Sequence, residues 1–127
     1  MAEATGPTAE HVRGVFQRYV ERVTAGDVDA VVALYAPDAS VEDPVGSPVH
    51  RGHDAIRAFY EASRGSVRLE LEGRPRVAGS QGAAAMIARP VGSDGVVVET
   101  LDTMSFDANG LVTSMRAYWS PDTIRRP

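Results

Sequence analysis

There is no cysteine among the 127 residues, so disulfides and thiolate chemistry are excluded and the chain suits a cytoplasmic setting. No apolar run reaches signal-peptide or membrane-spanning length, which also points to the cytoplasm and to no membrane partner. The 13 basic side chains are scattered along a chain of net charge -4, and without a basic stripe nucleic acid is not an expected partner. Internal repeats and low-complexity tracts are lacking too. What is present is 43% hydrophobic residues, enough for one domain over residues 1–127 with a core and a small-molecule cavity beside it. Residues 1–7 and 121–127 read as flexible ends.

From Thr8 onward Val12, Phe16, Tyr19, Val20 and Val23 recur at three- and four-residue spacing, the signature of an amphipathic helix. Gly26 stops it, and Asp27 caps a short second helix carrying Val28, Val31, Val32 and Tyr35, which Pro37 ends by residue 36. Residues 39–43 form a short strand with Ala39, Val41 and Asp43 on one face, closed by Pro44 and Gly46. A third helix over about 53–64 places Ile56, Phe59, Tyr60 and Ser63 on one side. Strands follow at about 66–72, 75–79, 82–91, 95–107 and 110–119, with SDG (93–95) and DANG (107–110) as hairpin turns. Helices first and a meander afterwards imply an α+β fold, with helices covering one face of an antiparallel sheet.

The stretch VVVETLDTMSF (96–106) alternates as a strand, and its apolar row is Val96, Val98, Thr100, Asp102, Met104 and Phe106. A carboxyl group therefore stands between Val98 and Met104. Asp43 shares a face with Val41, and Tyr19, Tyr35 and Tyr60 each fall on the apolar side of a helix. Each has an ordinary explanation: a core tyrosine finds a backbone partner, and an aspartate at a strand end caps a turn. A mid-strand aspartate in an apolar row is harder to explain that way. An ionised carboxylate is so costly to bury that the group keeps its proton or acquires a partner. Titratable groups in contrasting environments are where acid and base roles separate.

The pattern RYVERVTAGDVDAVVALYAPDASVEDPVG (18–46), the helix AIRAFY (55–60) and the strands LDTMSFDANGLVTSMRAYW (101–119) closely resemble the steroid Δ-isomerases, or ketosteroid isomerases. The likeness runs in one order from about residue 8 to 120, and the DP after an inward carboxylate is its most telling piece. It implies a fold like nuclear transport factor 2: a cone-shaped curved antiparallel sheet closed by three helices. It also implies proton transfer from C4 to C6 of a 3-oxo-Δ5-steroid through a dienolate, with no metal or organic cofactor, in a homodimer. Asp43 matches the family's general base, while Tyr19 and Asp102 match the two donors to the dienolate oxygen. Tyr35 and Tyr60 match the phenols behind Tyr19, and Val41, Phe59, Met115 and Trp119 match apolar walls and the surroundings of the base. A neutral buried aspartic acid in this role is an established feature of that family; the strand pattern supplies only the phase that puts Asp102 inside.

The sequence departs from the family pattern in two places. The hairpin 89–102 is about three residues shorter, and near Ala88 small residues stand where a bulky apolar wall is expected. Both bear on the shape of the pocket. An outward row of Val97, Leu101, Val112 and Tyr118 is apolar enough to pair two copies. His50 and His53 lie in a loop entering a helix with no third ligand, so they are read as no metal site. His11 is read as solvated and Arg51, Arg57 and Arg64 as surface charge, while AGSQGAAA is read as a turn. The alternatives are a polyketide cyclase or epoxide hydrolase on the same fold, or a non-catalytic binding module. Epoxide opening of the limonene type wants an Asp–Arg–Asp relay, and no inward arginine is evident beside Asp43 or Asp102. A binding module needs no inward base and paired donors.

Overall fold

The computed structural model describes residues 6–127, so the flexible end expected at 1–7 falls mostly outside the described residues. Helix α1 (Ala9–Ala25) opens where the Thr8 hydroxyl accepts from the His11 N–H at 3.1 Å. It stops at Gly26, whose φ of 71° closes the last turn. Asp27 caps the five-residue α2 (Val28–Val32) by accepting from the Ala30 N–H. Then come β1 (Tyr35–Glu42), β2 (His50–Arg51) and α3 (Gly52–Ala62). Strands β3 (Val67–Leu71), β4 (Arg76–Ala78), β5 (Gln81–Pro90), β6 (Val97–Phe106), β7 (Val112–Tyr118) and β8 (Ile124–Arg125) complete the order.

The eight strands form one curved, unclosed sheet of order β2-β1-β7-β6-β5-β3, with β4 on β5 and β8 on β6. The expected all-antiparallel sheet is in fact mixed, because β1 runs parallel to β7. That pairing also corrects the second helix. Val112 donates to the Leu34 carbonyl and pairs with Tyr35, so the chain leaves the helix after Val32 and Tyr35 opens a strand. Long-range pairing outweighs local helical spacing there.

Four further readings change. Val112 is fully buried, not outward. Phe106 pairs with Val112 but Ser105 with Ser114, so Thr113 is an extra residue and the alternation reverses across it. His11 is not solvated: its Nε2 lies 2.8 Å from the Gly110 carbonyl, tying α1 to the β6–β7 turn. The C-terminal end carries a turn at Pro121–Thr123 and then β8, which pairs with Val97 and Val98. The turn expected across AGSQGAAA is confined to residues 79–80, since Gln81 already begins β5.

The core lies between the helices and the inner face of the sheet, with Phe16, Tyr35, Ile56, Met86, Met104 and Met115 fully buried. Helix α1 rests on β5 at Gly82, where an added Cβ would meet the Phe16 and Val12 side chains at 2.8 Å. The missing side chain lets the helix sit low enough for Tyr19, one turn on from Phe16, to face the sheet. Gly82→Ala should therefore destabilise the fold by about 1–3 kcal/mol through overpacking. Urea unfolding measures this; an unchanged midpoint would mean that α1 is free to shift on β5.

Candidate active site

Asp102 occupies the middle of β6 on its inward row and is 3% exposed. Its register partners are Ala84 on β5 and Ala117 on β7, so neither neighbouring strand offers it a polar side chain. Its hydrogen bond comes from its own strand face: Thr100 Oγ1 donates to Oδ1 at 3.2 Å. Burial, reinforced by the nearby Asp43 carboxylate, pushes the Asp102 pKa up to about 7, and the Thr100 bond opposes this only in part. Asp102 is thus a carboxyl group able to hold a proton near neutrality.

Asp43 has a different setting. It follows directly on β1, is half-buried, and accepts from Trp119 Nε1 at 2.8 Å just beyond the end of β7. Burial raises its pKa, while the Trp119 N–H and His50 favour its charged form. The His50 ring packs on Phe59 with centroids 4.7 Å apart. His53 points elsewhere, its Nε2 lying 2.8 Å from the Tyr35 carbonyl.

Three elements supply three phenols. Tyr19 projects from α1, Tyr60 from α3 and Tyr35 from β1, and all are buried. The Tyr60 hydroxyl lies 3.0 Å from that of Tyr19 and 2.7 Å from that of Tyr35, so it links the other two. Burial is the first cause that raises all three well above the ordinary phenol value, so each keeps its proton. A row of protonated phenols can shift its hydrogens in concert toward an acceptor at the Tyr19 end.

Tyr19, Tyr60, Asp43, Asp102, Phe59 and Trp119 line one cavity of about 330 Å³. Tyr35 stands behind Tyr60. Val41 and Met115 do not reach the cavity; they pair with each other in register and are wholly buried in the core. The sequence reading did not assign Thr100, Val98, Val23 and Leu69 to the site, yet all four line it. Thr100 and Val98 could have been found, since they share the inward row of Asp102. Leu69 depends on the long-range pairing of β3 with β5. Among the described residues no arginine lines the cavity.

One apolar cavity, a half-buried carboxyl at one strand end, a protonatable acid in mid-strand and a phenol beside it define a small-molecule enzyme site of the nuclear transport factor 2-like fold. The chain belongs to the SnoaL-like domain family, which matches residues 16–115. It is 44% identical over 111 residues to the steroid Delta-isomerase of Nocardioides simplex, covering 87% of this chain and 90% of that protein. It is 31% identical over 143 aligned residues to the epoxide hydrolase LasB of Streptomyces lasalocidi, covering 93% of this chain but 50% of LasB. A solved structure of SalBIII, an epoxide hydrolase/cyclase-like enzyme described for pyran ring formation in the polyether salinomycin, superposes with a TM-score of 0.83. That match is 27% identical and covers 94% of this chain and 98% of the other.

The setting of Asp102 has a consequence for stability that does not depend on any reaction. Between the ordinary aspartate value of 3.8 and about 7 the folded chain holds a proton that the unfolded chain has released. The contribution of this group to stability is therefore full below pH 4, falls as the pH rises toward 7, and levels off above. The total loss is on the order of 4 kcal/mol at 1.36 kcal/mol per pKa unit. Asp102→Asn carries no charge and escapes this loss, so its stability relative to wild type should climb from pH 4 to pH 7. Urea unfolding at several pH values measures it, and a constant difference from pH 4 to 8 would show that Asp102 holds no extra proton.

Proposed function

We propose that the protein is a steroid Δ-isomerase, moving a proton from C4 to C6 of a 3-oxo-Δ5-steroid to give the conjugated 3-oxo-Δ4-steroid. The observation that carries this is the convergence of Asp43, Asp102 and Tyr19 on one apolar cavity. The 44% identity to a steroid Delta-isomerase, over nearly the whole of both chains, supports it.

Asp43 is the base. Its raised pKa makes its carboxylate a better proton acceptor than an exposed aspartate, while the Trp119 N–H keeps the charged form available. Removing the C4 proton sends an electron pair toward the ketone, and negative charge collects on the C3 oxygen. Tyr19 and neutral Asp102 donate to that oxygen, and Tyr60 and Tyr35 support Tyr19 from behind. The proton on Asp43 then returns at C6, so acid and base are regenerated without a cofactor. Donors already aimed in a water-poor site stabilise developing charge strongly, each by roughly 10²–10³-fold in rate. A positioned base contributes about 10²–10⁴-fold. The epoxide-opening alternative lacks the arginine its relay calls for among the residues lining this cavity. A cytoplasmic setting belongs to this reading and rests on composition.

The absorbance of the conjugated product gives a direct assay. Asp43→Asn should lower kcat by several orders of magnitude, since an amide cannot take the C4 proton. Asp102→Ala should lower it by about 10²–10³-fold, and Asp102→Asn by less, because an amide still offers N–H donors. If Asp102→Asn is as inactive as Asp43→Asn, in variants shown by circular dichroism to be folded, Asp102 acts as an anion and these roles fail. In wild type kcat/KM should rise with pH as Asp43 ionises and fall as Asp102 ionises near pH 7.

The enzyme is proposed to act as a homodimer joined through the outer face of the sheet. Leu101 and Tyr118 pair in register there and are each 41% exposed. Sedimentation equilibrium at micromolar concentration should give twice the chain mass, and a monomer throughout rules the dimer out.

A further inference from the structure

The cavity continues well past the catalytic groups, and its far end has a distinct chemistry. In register, Asp102 pairs with Ala84, Val98 with Ala88 on β5, and Pro90 with Val67 on β3. Asp102, Val98, Ala88, Pro90 and Val67 all line the cavity. From the row of Asp102 to that of Val98 is four residues, roughly 13 Å of strand, and to the row of Pro90 six residues, roughly 20 Å. With its C3 oxygen held by Tyr19 and Asp102, a four-ring nucleus ends near the row of Ala88 and Val98. The row of Pro90 and Val67 lies beyond C17.

The side chains of that outer end offer no hydrogen bond to a polar substituent, and an alkyl group there exchanges water for apolar contact. Its side chains are Val67, Leu69, Ala88, Pro90 and Val98. Leu69 exchanges both of its outward backbone bonds with Thr24 Oγ1, at 2.9 and 3.3 Å, and Pro90 has no N–H. Ser63, the nearby hydroxyl in the lining, donates to the Phe59 and Tyr60 carbonyls. A carbonyl at C17 therefore finds no free side-chain donor. An alkyl group finds apolar walls and, at Ala88, a side chain small enough to leave it room. The small residues near Ala88 and the short β5–β6 connection, departures in the sequence, both fall at this end.

We propose that the substrates of this site are 3-oxo-Δ5-steroids bearing an alkyl side chain at C17, in preference to 17-oxo steroids. This rests on the isomerase reading for the chemistry, and on the length and lining of the cavity for the preference.

The test compares two substrates that share one nucleus, one with a branched four-carbon alkyl group at C17 and one with a 17-oxo group, in the absorbance assay. The alkyl steroid should have a kcat/KM about tenfold higher, the effect of burying roughly two methylene groups. Ala88→Leu, which fills the room at that row, should bring the ratio of the two kcat/KM values close to one, and an unchanged ratio overturns the proposal. Equal or better turnover of the 17-oxo steroid by wild type overturns the proposal without touching the isomerase reading. If neither steroid is isomerised, the isomerase reading fails instead. The preference is then decided by the binding of two A-ring phenolic steroids carrying the same two C17 groups, followed by Trp119 fluorescence. Tighter binding of the alkyl phenol upholds it, and equal or weaker binding overturns it.

Discussion

A carboxyl group enclosed by alanines sets the terms for the rest of this molecule. Asp102 has Ala84 on one side and Ala117 on the other, and a single hydroxyl from Thr100 as its bond. Charged, it would face a large desolvation penalty; neutral, it fits. The phase of β6 that brings it there is held by Met104 and Phe106, buried on the same inward row, which a one-residue slip would carry to solvent. The reversal of alternation is placed on β7 at Thr113, beyond the Asp102 row, so the chain reaches β1 without disturbing that phase. The low polarity that keeps Asp102 protonated is also what makes the cavity suitable for an apolar ligand.

The two aspartates differ because their surroundings differ in kind. Both are raised by burial, yet Asp43 is met by the Trp119 N–H and by His50, and Asp102 by a hydroxyl and a like charge. Each influences the other: an ionised Asp43 makes ionisation of Asp102 harder, so the state with one charge and one proton is the favoured one. The phenols complete the division. Three hydroxyls buried in an apolar core would each be destabilising alone, but Tyr60 bonds to both of the others and leaves the free valence at Tyr19, which lines the cavity. Satisfying buried groups and aiming a donor are here one arrangement.

How much of this was legible in the sequence follows the range of the interactions. Periodicity located α1 and α3 and the strands β3 to β7 closely, because amphipathic spacing is a local property. Caps at Thr8 and Asp27 were local too. Asp102, Tyr19 and Tyr60 were found because a polar side chain in an apolar row is visible without coordinates. Tyr35 was placed on a helix because its pairing with Val112 spans most of the chain. Met115 and Val41 were matched by family likeness to the walls and the surroundings of the base; their side chains are wholly buried in the core. The bulge at Thr113 has no signature in its own sequence, so Val112 was put outside. His11 was missed because its partner, the Gly110 carbonyl, lies on the far side of the fold in sequence terms.

The similar proteins put the same frame to different chemistry. SalBIII shares the fold at a TM-score of 0.83 with 27% identity, so most of the packing that makes the cavity is compatible with very different side chains. What separates one activity from another on such a scaffold is the handful of polar groups that break the inward rows. Here those are a carboxyl group at the end of β1, a buried carboxyl group in mid-β6 and a phenol from α1, with no cation among the lining residues described. A cationic side chain beside Asp102 would draw off its proton and turn a donor into an acceptor. The absence of such a group from the lining is thus as much a part of the proposed proton transfer as the presence of Asp43.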